Sequence, residues 1–342
     1  MDKDKKVTLQ DLARKLQTTP ATVSRALQDH PRISPKMKKA VADLAREMNY
    51  HPDPVAHHLR TGRGSVIGVI VPRIDRTFFS SVIGGVERVA GEAGYSVIIS
   101  QSNESSEKEK AAVRAMLAKK VDALAVSLAA ETVDYGHFEP FLSKNIPLVF
   151  FDRTPETLPV NKIHVNNREA AYLSTVHLIR QGCRRIAHFS GPLTLNVYRD
   201  RIDGYKQALS EWQIPFDPAL VHEAITLETG RDAVRRMLGL GPMPDGIFSA
   251  GDFSAMGALH TLREAGISVP GEVAVVGFAN EPFCSFVEPS LSSVDQISLP
   301  IGEEVASLLL KEMDTDVSGR SPRTVELAAR LIVRASSQRK KE

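Results

Sequence analysis

The sequence predicts two folds in one chain: a small all-α helix-turn-helix head, followed by an α/β body of two lobes built on parallel sheets. Three observations predict it. Residues 1–50 carry repeated helix-start signals ahead of short amphipathic runs. From residue 65 onward, apolar strand runs alternate with helical stretches. The length, 342 residues, divides into two to three domains at roughly 150 residues each.

The first helix begins at Thr8, with Asp11 three positions on as an Asp variant of the capping box. Leu9, Leu12, Ala13 and Leu16 then lie on one helical face. Gln17-Thr18-Thr19 interrupts that face, and Thr19 caps a second helix whose first residue is Pro20, where a missing N–H costs nothing. This helix turns Val23, Ala26 and Leu27 inward and presents Ala21, Thr22, Ser24, Arg25 and Gln28 outward. Ser34-Pro35 repeats the device and opens a third helix with Val41, Leu44, Ala45 and Met48 inside.

Two short helices around a three-residue turn can set the second helix in a major groove. Arg25 suits bidentate contact with guanine, and Thr19, Thr22 and Ser24 are short donors suited to phosphate. The charge distribution agrees. Residues 1–63 hold 13 Lys+Arg against 7 Asp+Glu, a net of +6, whereas the rest of the chain nets −4. A basic head on a slightly acidic body points to the head as the part that meets a polyanion.

The stretch TLQDLARKLQTTPATVSRALQDHPRISPKMKKAVADLAREMNYHPDPVAHHLRTG resembles the DNA-binding head of the lactose-repressor (LacI/GalR) transcription factors. The core ATVSRAL and the segment NYHPDPVAHHLRTG carry the resemblance, which extends over essentially the whole chain. It implies a DNA-facing set of Thr8, Thr19, Pro20, Ala21, Thr22, Ser24, Arg25 and Gln28. Pro20 and Ala21 fall where relatives discriminate bases, although neither has a hydrogen-bonding side chain. Gln17 stands where the family commonly has glycine, so it is expected in the left-handed conformation, at a cost of ~1–2 kcal/mol.

Asp53-Pro54-Val55-Ala56-His57-His58-Leu59-Arg60 has a cap and a proline at its start but is barely two turns long, and helices that short are marginal in water. By the resemblance it is a hinge helix that folds on operator, pairs with its dimer mate and levers open the central base step with Leu59, Ala56 lying beside it. The expected domains are therefore a helix-turn-helix domain over 1–50, a hinge helix and linker over 51–64, and an effector-binding and dimerisation domain over 65–338.

In the body, strands are expected at SVIGVIVP, YSVIISQS, VDALAVSLA, PLVFFDR, RRIAHFSG, DGIFSAG and VAVVGFAN, separated by helices such as SSVIGGVERVAGEAG and AVRRMLGL. In parallel sheets of this kind, small ligands bind beyond the carboxyl ends of the strands. The resemblance implies a periplasmic-binding-protein-like body with a ligand cleft between an N-lobe (about 65–165 and 297–323) and a C-lobe (about 166–296 and 324–338).

Catalytic signatures are missing. The sequence has no Gly-Lys dipeptide, GxSxG, HExxH or paired CxxC. His57-His58 point in different directions, and His164, His177 and His188 read as packed or surface residues, so no metal or cofactor is expected. The reading is a regulator rather than an enzyme.

The cleft residues follow from the resemblance, one at a time. Phe78 and Phe79 match aromatic positions that stack on ligand; Asp152, with Arg153 beside it, matches a strand-end acidic residue. Arg201 matches an arginine that reaches ligand hydroxyls or carboxylate, and Ile225 matches an apolar wall. The family often has Asp where GFAN places Ala279, leaving Asn280 as the nearest polar group. Gly251 and Leu195 also depart from the galactoside and purine patterns. The lip carries Arg73, Arg76, Arg153, Arg199 and Arg201, several guanidiniums that favour an anion, so within the class of a small sugar, sugar acid or sugar phosphate the expected effector is an acidic or phosphorylated sugar.

No run reaches the ~18 apolar residues of a membrane span, the charged opening MDKDKK leads into no signal-like segment, and Cys183 and Cys284 cannot form a disulfide framework. A cytoplasmic location with no membrane partner is expected. The tail ARLIVRASSQRKKE is too short and polar for a leucine heptad, which favours a homodimer over a tetramer. The expected function is a transcriptional regulator of carbohydrate-utilisation genes, acting as a repressor on a pseudo-palindromic double-stranded operator under a small effector. The competing reading is a cytoplasmic sugar-binding protein without gene regulation.

Overall fold

The computed structural model describes residues 7–27, 30–48, 50, 64–239 and 241–339. The chain forms two compact units, Met1–Gly64 and Ser65–Glu342.

In the first unit, α1 is Leu9–Lys15, α2 Pro20–Leu27 and α3 Pro35–Glu47. Thr8 closes the expected capping box: Asp11 N–H donates to its Oγ1 at 3.3 Å, and its own N–H donates to Asp11 Oδ2 at 3.0 Å. Ser34 accepts from Met37 N–H at 3.3 Å, with Pro35 opening the helix. Gln17 adopts φ +50°, the left-handed geometry its place in the turn demands. Leu12, Ala13, Val23, Ala26 and Val41 form the buried core, with Leu44, Ala45 and Met48 packed around it. Leu27, expected inside, is 37% exposed. It lies four positions after Val23, on the same side of the helix, but is the helix's final residue.

The second unit holds two six-stranded sheets. The first contains β1 (Val66–Val71), β2 (Ser96–Gln101), β3 (Ala123–Val126), β4 (Leu148–Phe151), β5 (Asn161–Val165) and β11 (Thr324–Leu327), in the order β11-β5-β4-β3-β1-β2. The second contains β6 (Ile186–Ser190), β7 (Val221–Glu223), β8 (Gly246–Ser249), β9 (Ala274–Phe278), β10 (Ser292–Asp295) and β12 (Arg330–Ile332), in the order β12-β10-β9-β8-β6-β7. All pairs are parallel except β10 with β12. Helices α4 (Thr77–Glu92), α5 (Ser106–Ala118), α6 (Glu139–Ser143) and α11 (Ser298–Asp314) belong to the first lobe; α7 (Asn167–Arg180), α8 (Asn196–Glu211), α9 (Leu227–Gly239) and α10 (Asp252–Glu264) belong to the second.

Both faces of the sheets are covered, which is why the central strands read as unbroken apolar runs. Val69 and Val71 pack with Val82, Val86 and Val305 on one side of the first sheet, while Ile70 packs with Met116, Phe138 and Phe150 on the other. Helices α4 and α11 meet backbone to backbone: a methyl at Gly302 would overlap the Val82 carbonyl, and one at Gly85 the Leu299 carbonyl.

The chain passes between lobes after β5, after β10 and again between β11 and β12. The third passage corrects the expected boundary at 323/324. Thr324–Leu327 pairs with β5 from Thr324↔Lys162 to Leu327↔Val165, so it belongs to the first lobe. The switch falls at Ala328-Ala329, and Ala329 packs against the cores of both lobes. Among the described residues, no helix is long and apolar enough to cross a membrane.

An interlobe cleft and an exposed head helix

On the head, α2 leaves Pro20, Ala21 and Arg25 exposed and Thr22 and Ser24 half-buried. Arg25 has no ion-pair partner among the described residues, so its guanidinium is available. The hydroxyls nearby are partly committed: Thr8 Oγ1 donates to Asp11 Oδ2 at 2.7 Å, and the Thr19 and Thr22 hydroxyls share a hydrogen bond of 2.9 Å. Thr19 Oγ1 also accepts from Thr22 N–H at 3.2 Å, capping the helix. Gln28, and Ala56 and Leu59 with the rest of 51–63, lie outside the described residues.

In the second unit, the residues that follow β4, β8, β9 and β10 converge on one cleft between the lobes. Asp152-Arg153, Ala250-Gly251, Ala279 and Gln296 line it from those strand ends, and α4, α8 and α10 add side chains from their first turns. The cleft is bridged. Arg76 of the first lobe lies 3.8 Å above the Phe253 ring of the second. The Asn196 side chain donates to Asp152 O at 3.1 Å and accepts from Thr154 N–H at 3.0 Å, and Arg199 pairs with Glu156.

Arg201, 5% exposed, is held from three sides. Its Nε donates to Asn167 Oδ1 at 2.9 Å, its Nη1 donates to Ala250 O at 2.8 Å, and its guanidinium lies 3.6 Å over the Phe278 ring. Nη2 has no hydrogen-bond partner among the described residues. Burial lowers the Arg201 pKa against the pull of Tyr198 and Asp152. Burial likewise raises Asp152 above the ordinary carboxylate range, although Arg153 and Arg201 work the other way. Asp152 itself takes φ +57°, and its Oδ2 lies 4.0 Å from Arg153 Nε.

Asp252 stands at the base of the cleft, 1% exposed. Its Oδ1 accepts from Ser293 Oγ at 2.6 Å and its Oδ2 from Glu281 N–H at 2.8 Å. Burial pushes its pKa up to about 6 despite those two donors.

Residues 8–53 match the model of the bacterial regulatory proteins of the lacI family, and residues 175–337 match that of a periplasmic binding protein-like domain. The transcriptional repressor CytR of Escherichia coli K12 is 31% identical over 97% of this chain and 96% of its own length. Catabolite control protein A of Priestia megaterium is 30% identical, over 97% and 99%.

The chain belongs to the LacI family.

A solved structure of the lac repressor dimer, bound to operator and the anti-inducer ONPF, superposes with a TM-score of 0.85 at 25% identity, covering 97% of this chain and 99% of that one. LacI-family proteins regulate transcription and are not enzymes, and this chain shares their DNA-binding head and their two-lobed body.

Within this LacI-family body, Phe78, Phe79, Asp152, Arg153, Arg201 and Ile225 all line the cleft. Two further candidates do not. Arg73 pairs with Asp75 in its own loop, its Nε donating to Oδ1 at 2.8 Å. The Asn280 side chain accepts from Arg334 Nη2 at 2.8 Å, because positive φ at Ala279 (+120°) and Asn280 (+52°) turns it away from the cleft lining.

The arginine excess read from the lip is also cancelled. Arg73 is matched by Asp75, Arg153 by Glu104 at 2.6 Å and Arg199 by Glu156. The lining proper carries Arg76, Arg153 and Arg201 against Asp152, Asp252 and Glu281.

Sequence reasoning missed Tyr198, Asp252, Phe253, Glu281 and Gln296 as cleft residues. Tyr198 lies one helical turn before Arg201 on α8, a spacing that signals a shared face. Phe253 and Asp252 follow Gly251 at a strand-to-helix junction. Nothing local marks Glu281 or Gln296.

Proposed function

We propose that this LacI-family chain is a repressor of sugar-utilisation genes that acts in the cytoplasm as a homodimer on a pseudo-palindromic operator. Two heads read successive major grooves through α2, with Arg25 as the base-reading donor and Thr8, Thr19, Pro20, Ala21, Thr22, Ser24 and Gln28 completing the DNA-facing surface. The hinge 51–63 couples head to body, with Leu59 entering the minor groove beside Ala56.

The effector sits in the interlobe cleft, and the carrying observation is the arrangement there: among the described residues Arg201 Nη2 and the Glu281 carboxylate have no hydrogen-bond partner and Asp152 has a loose 4.0 Å ion pair with Arg153, with aromatic rings of Phe79, Tyr198 and Phe253 on the same lining. Protein sites for polyols combine such walls with a few placed polar groups. The cavity, about 120 Å³, suits a single small ring. The balance of three arginines and three carboxylates favours an uncharged sugar over a sugar acid or phosphate. Effector binding alters repression only through its different affinity for the two arrangements of the lobes, for which the bridges at Arg76–Phe253 and Arg199–Glu156 are the contacts to be made or broken.

The test uses the intact chain and a fluorescent duplex selected from a random pool. Binding should weaken steeply with salt, as phosphate contacts require, and should shift on addition of a sugar from a monosaccharide panel, with Arg201→Ala abolishing the shift. Absence of salt-sensitive duplex binding would refute the DNA half of this reading, and a sugar response unaffected by Arg201→Ala would refute the cleft half.

A further inference from the structure

Glu281 is 6% exposed and lines the cleft, yet its carboxylate has no hydrogen-bond or ion-pair partner among the described residues. Its oxygens are not sealed off: they open into the cleft, within reach of a ligand's donors. The surrounding backbone is restrained to hold it there. Three successive amides are tied down: Ala279 N–H donates to Val294 O at 2.9 Å, Asn280 N–H to Ser293 Oγ at 3.0 Å, and Glu281 N–H to Asp252 Oδ2 at 2.8 Å. Ser293 Oγ passes its own hydrogen to Asp252 Oδ1, so the last two anchors share one network. Ala279 and Asn280 both sit at positive φ, a region that side chains other than glycine enter only under restraint. The consequence is directional. The Asn280 side chain goes to Arg334, and the next residue, Glu281, is the one that reaches the cleft.

We propose that Glu281 determines which effector the cleft accepts: it takes hydrogen bonds from the hydroxyl or amino donors of a neutral or amino sugar and rejects the corresponding sugar acid. The proposal rests on the reading of the cleft as the effector site. A second carboxylate on the lining, Asp152, is only loosely paired, 4.0 Å from Arg153 Nε, because Arg153 makes its closer contact, 2.6 Å, with Glu104. A ligand carboxylate placed beside Glu281 would meet like charge there, and that repulsion counts against it.

The test has two arms, both on the full chain. In the first, the thermal midpoint of ligand-free Glu281→Gln, with Glu281→Ala as a second variant, is compared with that of the unmodified protein. A residue kept for ligand rather than for folding should leave the midpoint unchanged or raised when its carboxylate is removed; a midpoint lowered by several degrees in both variants overturns the proposal. In the second arm, D-glucose, D-glucosamine and D-glucuronate, and the matching galactose series, are titrated by calorimetry. A neutral or amino member should bind at least tenfold more tightly than its uronate, and Glu281→Gln should erase most of that ratio. Equal discrimination in the variant, or preference for the uronate in the unmodified protein, overturns it. If no sugar of the panel binds, the sugar reading of the cleft fails, and the ligand-free arm alone decides the role of Glu281.

Discussion

His188 offers a prediction whose size follows from the structure. It sits on β6, fully buried, stacked between Tyr205 and Phe248 at ring separations of 5.1 and 4.9 Å. Nδ1 donates to Phe248 O at 3.0 Å, and Nε2 is buried with no partner. Burial, helped by the charges of Arg201 and Lys206 and opposed by the Phe248 bond, pushes its pKa down from 6.5 to about 4. The unfolded chain then binds a proton that the folded chain refuses. Stability from this group is present above pH 6.5 and is lost as pH falls toward 4. At about 1.36 kcal/mol for each unit between the two values, the full effect is about 3 kcal/mol, of which about 2 kcal/mol falls between pH 7.5 and pH 5.

Asp252 works in the opposite sense. Its raised pKa means that stability present below the ordinary value is lost as pH rises through about 6. Acidification from pH 7.5 to pH 5 therefore returns roughly 1–1.5 kcal/mol, which hides much of the His188 loss in the unmodified protein. A difference measurement removes this masking. In His188→Leu the gap in stability to the unmodified chain should move by about 2 kcal/mol in the variant's favour between pH 7.5 and pH 5. Urea unfolding followed through Trp212, the sole tryptophan of the chain, provides the readout, because Trp212 caps α8, the helix that carries Tyr205. A gap that stays constant between the two pH values would refute the assignment of a neutral, proton-refusing imidazole.

Three further outcomes are expected. Gly302→Ala forces a methyl into the Val82 carbonyl at the α4–α11 crossing and should cost about 2–3 kcal/mol in urea unfolding, whereas Gly84→Ala, where a methyl meets nothing, should cost little. Gln17→Gly relieves the left-handed strain of the head's turn and should stabilise the head by about 1 kcal/mol, visible in hydrogen exchange of α1 and α2; a loss of protection there would count against that assignment. Arg25→Ala should weaken binding of a selected duplex by ~1–3 kcal/mol and relax its preference at one base-pair position, while uniform weakening across all sequences would make Arg25 a phosphate contact instead.

Local signals sufficed for much of this molecule. Cap-then-proline pairs at Thr19-Pro20 and Ser34-Pro35 marked helix starts because hydrogen-bonding at a helix end involves only neighbours in sequence. Central strands such as β1, β4 and β9 were legible because both of their faces are buried, which leaves an unbroken apolar run. Several strands at or near the sheet margins were not. Asn161–Val165, Ser292–Asp295, Thr324–Leu327 and Arg330–Ile332 alternate burial or carry polar residues, and their identity comes from the strand beside them.

The sequence by itself determined the family, the head with its left-handed turn at Gln17, and the positions of Asp152 and Arg201 at the mouth of a cleft. The tertiary structure alone decided how the charges there are shared. Arg73, Arg153 and Arg199 each meet a carboxylate brought by folding, two of them from 43 and 49 positions away in the chain. It also decided that Asn280 turns to Arg334 while Glu281 faces the cleft without a hydrogen-bond partner among the described residues. The physical reason is range. Caps, turns and apolar periodicity are set within a few residues, but whether a buried charge is neutralised depends on groups that only the packing of two lobes brings within hydrogen-bond distance.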